Sequence, residues 1–595
     1  MSNYPPRSQS PETVSGDRPS RIQWGGRFTV EVALWLVVVG VALALRLPGL
    51  GAAPLSASEA HHATLAWRAV TANEPPRDGA YSPVLLAANA LTFATVGASD
   101  ALARLWPLVA GTLLVAAPAL LCRQMGRVSA LGAALMLAFS PTAIVASRRV
   151  DAVSLAALGA MVFLGGLLQF VHTYERRWAL ASAAGLALAL ATGAQGFTLV
   201  APLALAGAAF AVGYRPAEDV KSVGAALHAN RALILLMFAG MLVALATGMG
   251  WHPAGLTAVG DGWVAWVRGS WAPGTQEVSP LALLALYEPL CVCWGVVGLI
   301  GLLRRRASLG AFLALWAGLG LVGWVMSASG SSLDGLTFVL PLALLAGVGL
   351  GRLVEQVARP GVWRAVRLYV PVMLVLGVYL ALVVGQYGAR GQNSSLYLAI
   401  VTMLLQMLLL ALFALATSAE SALVALGIGS SVLMLIYTLS AGCGAAHARA
   451  SNPRELLATG TTAAEVRELV TTLEELSWQQ TGLRTTLAFT YEAPPDSVLA
   501  WHLREFSAAT RVDDLDSVDS NAPVLVTTRR HWAPANDGHV GQDFVLQRSW
   551  EPSSMSCDWR WPPQCSEGVR WWLLRRTATP PTVSEWAMLW VSEPE

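Results

Sequence analysis

The chain has 595 residues, 55% of them hydrophobic and only 13% charged, with a formal net charge of +2. Apolar runs recur at lengths able to cross a roughly 30 Å hydrocarbon core, which points to a polytopic membrane protein and excludes a soluble enzyme. No CxxC pair, HExxH, Walker loop or GxGxxG in a strand-to-helix setting occurs, so zincin, nucleotide-hydrolase and dinucleotide-binding readings lack support. No nucleic-acid partner is expected.

Residues 1–28 are rich in Pro, Ser and Arg and have no apolar h-region, so a disordered cytoplasmic tail is expected there rather than a cleavable signal. The apolar runs then predict spans at 30–46, 103–121, 128–146, 152–171, 178–192, 196–213, 231–249, 281–303, 308–327, 335–351, 368–385, 396–416 and 421–441. These make about 13 helices within an all-α membrane domain over 29–445. Its first outer loop, 47–102, is expected to carry juxtamembrane helices. The segment 82–96 in that loop is apolar but short and opens on a proline, which suits a surface-lying or re-entrant helix better than a span.

Arginine sets the orientation. Arg7, Arg18, Arg21 and Arg27 precede the first span, and Arg123/Arg127, Arg176/Arg177, Arg215/Lys221/Arg231, Arg304/Arg305/Arg306 and Arg352/Arg359/Arg364/Arg367 fall in every second loop after it. The positive-inside rule then puts the N-terminus in the cytoplasm and the C-terminal part outside. Lys221 is the only lysine, so a phosphate on the outer face has to be held by arginine, backbone amides or a metal.

From Ser451 the texture changes. Residues 451–595 carry 20 Asp and Glu against 12 Arg and read as a separate, acidic, extracytoplasmic α/β domain. Val466, Leu469, Val470, Leu473 and Leu476 predict a helix over 465–479, whereas 485–491, 523–528 and 544–547 predict strands. Ten residues of this part are Trp, including Trp559, Trp561, Trp571 and Trp572. They could stack on sugars or lie at the bilayer interface, but packing in the domain or on the membrane part is the simpler account. Cys122, Cys291, Cys293 and Cys443 lie in or beside apolar spans and read as packing residues; Cys557 and Cys565 are the one external pair, for which a disulfide is chemically allowed.

The stretch from Arg46-Leu47-Pro48-Gly49-Leu50 to Ser58-Glu59-Ala60-His61-His62-Ala63 puts a carboxylate and two imidazoles where a membrane helix leaves the bilayer. Arg77, Asp78 and Tyr81 follow in the same loop. The expected third span ends in Ser140-Pro141-Thr142 and Ser147-Arg148-Arg149-Val150-Asp151, against the positive-inside trend; Arg104 opens the second span, and Glu288 lies near the outer end of the helix from 281. Charge at that depth is expensive unless it functions. An arginine pair beside a carboxylate suits a lipid-linked phosphate, because the guanidinium fork binds phosphate bidentately and the acid orients it. An interfacial Arg–Asp ion pair that anchors the helix fits the local chemistry equally.

The ordered series Arg46-Leu47-Pro48, Ser58-Glu59-Ala60, Asp78-Gly79-Ala80-Tyr81-Ser82-Pro83, Ser99-Asp100 through Arg104-Leu105, Ser140-Pro141 and Ser147-Arg148 resembles the N-terminal half of the GT-C membrane glycosyltransferases. It is most similar to the bacterial relatives of glycosyltransferase family 39, the protein mannosyltransferase and aminoarabinose transferase group, in a branch with an external C-terminal domain. The resemblance covers 30–200 and continues more loosely through Ser279-Pro280, Tyr287-Glu288, Asn452-Pro453-Arg454-Glu455-Leu456 and Trp501-His502-Leu503-Arg504-Glu505.

The resemblance implies transfer of a sugar from a polyprenyl-phosphate donor, a membrane lipid, on the outer face, without a nucleotide cofactor. In relatives an Asp-Glu pair in the first outer loop and a further acid after the Ser-Arg motif are functional; here they fall on Ser58-Glu59 and Asp151. The implied roles are Glu59 as the base that deprotonates the acceptor, assisted by His61 or His62, Arg148 and Arg149 on the carrier phosphate, and Asp151 orienting them. Tyr81, Arg104 and Glu288 complete the candidate substrate-binding set. A divalent metal stays open because relatives differ, although no dedicated ligand cluster stands out.

This chain departs from the family at three places. The expected Asp is Ser58, and a serine hydroxyl is no base at neutral pH without a partner. Thr192-Gly193-Ala194-Gln195-Gly196 stands where relatives show a Thr-Lys-Glu cluster, and Ser331-Ser332-Leu333-Asp334 where they show Glu-Lys. The alternative is therefore a catalytically silent GT-C-fold scaffold that presents its Trp-rich domain to glycans or a protein. A transporter fits less well, with few mid-bilayer charges and no paired repeat.

Overall fold

The structure is a computed structural model that describes residues 30–592 apart from 73, 77–78, 215–216, 272–278, 327–330, 360, 518–522, 530–531, 535–537 and 553–564. The expected tail at 1–28, Arg77 and Asp78 lie outside the described residues. Every run expected to span is helical, in one helix or in pieces, because long stretches of Leu, Ala and Val have no other way to satisfy their backbone in lipid.

Among the described residues eight helices, for example Val153–Thr173 and Asn393–Ala416, are long and apolar enough to cross a membrane, and the number is ten if each of two bent pairs counts as one span. The sequence reading of about 13 differs for local reasons. Val30–Arg46 and Arg176–Leu190 have 17 and 15 residues. The expected span at 128–146 is broken into Arg127–Phe139 and Pro141–Ala146. Pro141 has no N–H to donate and pushes Ser140 out of the helical region, to ψ 119°. Pro289 does the same after Glu288, where Pro280–Tyr287 and Pro289–Arg304 meet at 98°. Segment 82–96 forms the 14-residue helix Pro83–Val96, capped by Ser82.

The C-terminal part holds a five-stranded sheet: β1 Phe489–Glu492, β2 Ala509–Val512, β3 Val524–Thr527, β4 His539–Ser549 and β5 Thr582–Ser592. The strand order is β2-β1-β3-β5-β4, parallel from β2 to β3 and antiparallel at β5 and β4. Helix Glu465–Thr481 buries Val466, Leu469 and Leu473 against Phe489, Val524 and Val526. Strands β2 and β5 were not expected from the sequence. Trp501 is fully buried, while Trp550 and Trp571 join the core of the membrane part; Trp559 and Trp561 lie outside the described residues. Cys122, Cys291, Cys293 and Cys443 are free. Cys565 is disulfide-bonded, and Cys557 lies outside the described residues.

Candidate active site

Helix Ala57–Thr71 begins with a capping box, in which Ser56 Oγ accepts from the Glu59 amide and Glu59 Oε2 accepts from the Ser56 amide at 3.0 Å. The same carboxylate reaches further. Its Oε1 accepts from Arg104 Nε at 2.8 Å and from the Val150 amide at 3.0 Å, its Oε2 from Arg104 Nη2 at 3.0 Å, and Arg149 Nε stands 3.8 Å away. Glu59 is only 2% exposed. Burial alone would raise its pKa, but Arg104, Arg149 and the hydrogen bonds outweigh it and hold the carboxyl at about 2. A carboxylate so saturated is not poised as a base in this conformation.

The arginines are committed in a way the sequence does not show. Arg104 donates from Nη1 to the carbonyls of Leu50 and Ala53 at 2.7 and 2.9 Å and from Nη2 to Pro54 at 3.3 Å, so every one of its N–H groups is used. Arg148 donates to the carbonyls of Ala446, Arg46, Pro48 and Gly49. The irregular segment 47–56 leaves carbonyls without a regular partner, and these two side chains satisfy them. Arg149 differs: both of its terminal nitrogens share one acceptor, the Thr459 carbonyl at 3.3 Å, which leaves N–H groups for a ligand.

Asp151 follows on the same turn. Its Oδ1 accepts from the Val153 amide at 2.8 Å at the start of helix Val153–Thr173, and Oδ2 makes no hydrogen bond among the described residues. Burial raises its pKa above the ordinary aspartate value. His62, one helical turn after Glu59, is held at about 4 by burial and is neutral at neutral pH. His61 Nδ1 lies 3.5 Å from Asp496 in the C-terminal part. Ser58 is exposed, with its hydroxyl 3.3 Å from Ser56 Oγ.

Glu59, Arg104, Arg148 and Arg149 line one cavity of about 40 Å³, with room for a few waters but not for a sugar. His447 also lines it and was missed by the sequence reading. It sits in the π-helical turn Gly444–Ala448, a rare form frequent at functional sites, and its Nε2 bonds the Leu45 carbonyl at 2.9 Å. The one available signal was its place as the first polar side chain after the last apolar run.

Two candidates lie elsewhere. The Tyr81 hydroxyl pairs with His252 Nε2 at 2.7 Å. Glu288 accepts from Ser140 Oγ at 2.5 Å and from the Thr142 amide at 3.1 Å, where it closes the helix break. Among the described residues no three His, Cys, Asp or Glu side chains gather to hold a metal ion, so no step is routed through one.

The C-terminal part covers the first loop. Arg467 donates to the carbonyls of Gly51 and Ala52, both at 2.7 Å, and to Asp100 at 2.9 Å; Thr462 Oγ1 reaches the Leu55 carbonyl at 2.7 Å. Trp501 Nε1 donates to Asp100 at 2.7 Å and Arg504 to the Ala98 carbonyl at 3.0 Å. The motif Trp501-His502-Leu503-Arg504-Glu505 is thus a docking element.

No protein-family model and no curated protein matches the sequence. Among solved structures the chain is similar to ArnT from Cupriavidus metallidurans bound to undecaprenyl phosphate, with a TM-score of 0.53 at 15% identity over 87% of this chain and 96% of that one. The apo state of the same protein gives 0.53 at 15% identity over 88% and 97%. The Archaeoglobus fulgidus oligosaccharyltransferase gives 0.49 at 12% identity over 84% of this chain and 69% of that one. The fold implied by the ordered motifs is borne out: the chain is a mostly helical membrane protein of the GT-C fold with a small C-terminal sheet domain.

Proposed function

We propose that the chain is a glycosyltransferase that moves a sugar from a polyprenyl-phosphate donor to an acceptor on the outer membrane face, with residues 451–595 as an external cap. The observation that carries this reading is that Asp151, an acid with an open oxygen and a pKa raised by burial, follows two residues after Arg149, which lines the cavity and whose guanidinium keeps donors free. The fold shared with a protein that binds undecaprenyl phosphate supports the donor class.

In this reading Asp151 takes the proton of the acceptor hydroxyl as its oxygen attacks the anomeric carbon, and the bond from that carbon to the carrier phosphate breaks. The phosphate leaves as an anion beside Arg149, which stabilises the developing charge. Glu59, Arg104 and Arg148 hold the loop in place. The cavity is too small for a sugar, and in this reading the cap lifts from the first loop to admit one.

Purified chain incubated with radiolabelled polyprenyl-phosphate sugars should release free carrier, followed by thin-layer separation. Absence of turnover across several donors would sink the reading. The silent-scaffold alternative would then stand, favoured by the full commitment of Arg104 to backbone carbonyls and Glu59.

A further inference from the structure

Helix Val153–Thr173 starts two residues after Asp151 and runs for 21 residues, so its far end lies roughly 32 Å away by helical rise. There the helices part around a second cavity of about 620 Å³. Its walls are apolar, with Phe163 and Leu168 on one side, Leu203 and Phe210 on helix Ala194–Tyr214, and Phe312 on helix Ser308–Met326. Polar groups line only one end, where Arg123, Gln124, His172 and Ser308 gather. Both amide atoms of Gln124 are buried without a hydrogen-bond partner.

Depth and charge select the occupant. From Phe163 to His172 the wall is about 14 Å deep by helical rise, roughly half of a 30 Å hydrocarbon core, which fits the chains of one leaflet and not a spanning helix. The helix ends and turns on the side of the polar end carry Arg176, Arg177, Lys221, Arg304, Arg305 and Arg306 against Glu175. That surplus complements an anionic head group, and anionic lipids concentrate in the cytoplasmic leaflet to which such a surplus points.

We infer that this cavity is a binding site for one resident glycerophospholipid with an anionic head group, its chains between Phe163 and Phe312 and its phosphate at Arg123. The site is separate from the proposed transfer site and does not depend on that reading.

Gly207 lines the cavity, and a Cβ added there meets nothing within 4 Å. Gly207→Phe therefore fills the space without a backbone clash, while Gly207→Ala leaves it open and serves as control. The probes are phosphatidylglycerol and phosphatidylcholine added to the full chain in mild detergent, with bound lipid read by native mass spectrometry. The parent and Gly207→Ala should hold one phosphatidylglycerol about tenfold or more tighter than phosphatidylcholine, the scale of one charge-assisted contact. Gly207→Phe should lose both lipids, and Arg123→Gln should bind the two equally. Equal binding of the two lipids by the parent, retention of phosphatidylglycerol by Gly207→Phe, or its displacement by an equal amount of polyprenyl phosphate would overturn the assignment. Arg123→Gln, at the exposed mouth, keeps the test decisive if Gly207→Phe does not fold.

Discussion

The hydroxyl of Tyr287 donates to Oε1 of Glu455, which ties the bend between two short membrane helices to the segment that leaves the last span. Arg449 Nε reaches Oε2 of the same carboxylate at 3.0 Å, and Arg575, 2% exposed, reaches Oε1 at 3.4 Å with its guanidinium 5.1 Å from the centre of the Tyr287 ring. Two motifs that the chain separates by 168 residues are thereby one buried network.

Glu455→Ala should therefore be strongly destabilising, because it strands two arginines at the membrane surface. A loss of about 3–5 kcal/mol is expected for breaking a buried pair, against about 1 kcal/mol for Tyr287→Phe, which removes one hydrogen bond. Thermal melting of both variants in one detergent checks the order; equal melting points would contradict the network.

Glu59→Gln separates structure from chemistry. The amide cannot pair with Arg104, so the first loop should loosen by about 3–5 kcal/mol, seen as a lower melting point and faster proteolysis near residues 47–56. Ser58→Asp, exposed in the first turn of its helix, should leave stability unchanged or slightly raised through the helix dipole.

Stability should fall with acid. Glu59 titrates at about 2 in the folded chain against 4.5 ordinarily, so the unfolded chain binds the proton more tightly. Its stabilisation is complete above about pH 4.5 and is lost as pH falls toward 2, on the order of 3 kcal/mol in all. Melting points recorded from pH 6 to pH 3 should show this slope, and Glu59→Gln should flatten it.

Asp151→Asn should keep the melting point, since an amide oxygen can still accept from the Val153 amide, while turnover drops by about a hundred- to ten-thousand-fold. The raised pKa also predicts that the acid limb of kcat/KM lies above the ordinary aspartate value. A limb at or below that value, or unchanged turnover in Asp151→Asn, would remove the residue from the reaction.

Single cysteines placed at Glu505 and Arg176, in a chain freed of its native unpaired cysteines, should label from opposite sides of intact cells. The first should react with an impermeant maleimide and the second only after permeabilisation. The reverse pattern would invert the orientation derived from arginine placement.

The helical part was legible because apolar runs of span length have one stable form in lipid. What escaped was local: the breaks at Ser140-Pro141 and Glu288-Pro289 are visible as X-Pro pairs, yet hydropathy runs straight through them. Strand β2 is four residues with polar Thr510 and Arg511, too short to alternate visibly. The site was legible as a list and illegible as a circuit. Arg104 and Arg148 read as ligand binders because the sequence shows donors, whereas, Glu59 apart, the acceptors they meet are carbonyls of segment 46–54 and Ala446, and a carbonyl has no letter of its own.

That grip has an evolutionary consequence for the cap. Arg467, Thr462 and Arg504 fasten it to the carbonyls of Gly51, Ala52, Leu55 and Ala98. The loop is recognised by its path rather than its letters, so the contacts themselves place no demand on the side chains at those four positions, although Leu55 is held by its burial and Gly51 by the closeness of Ala101. Pairs of positions that change together would then be sparse at this interface, Asp100 with Arg467 and Trp501, and Asp496 with His61 and Arg68, being places where such a trace can form.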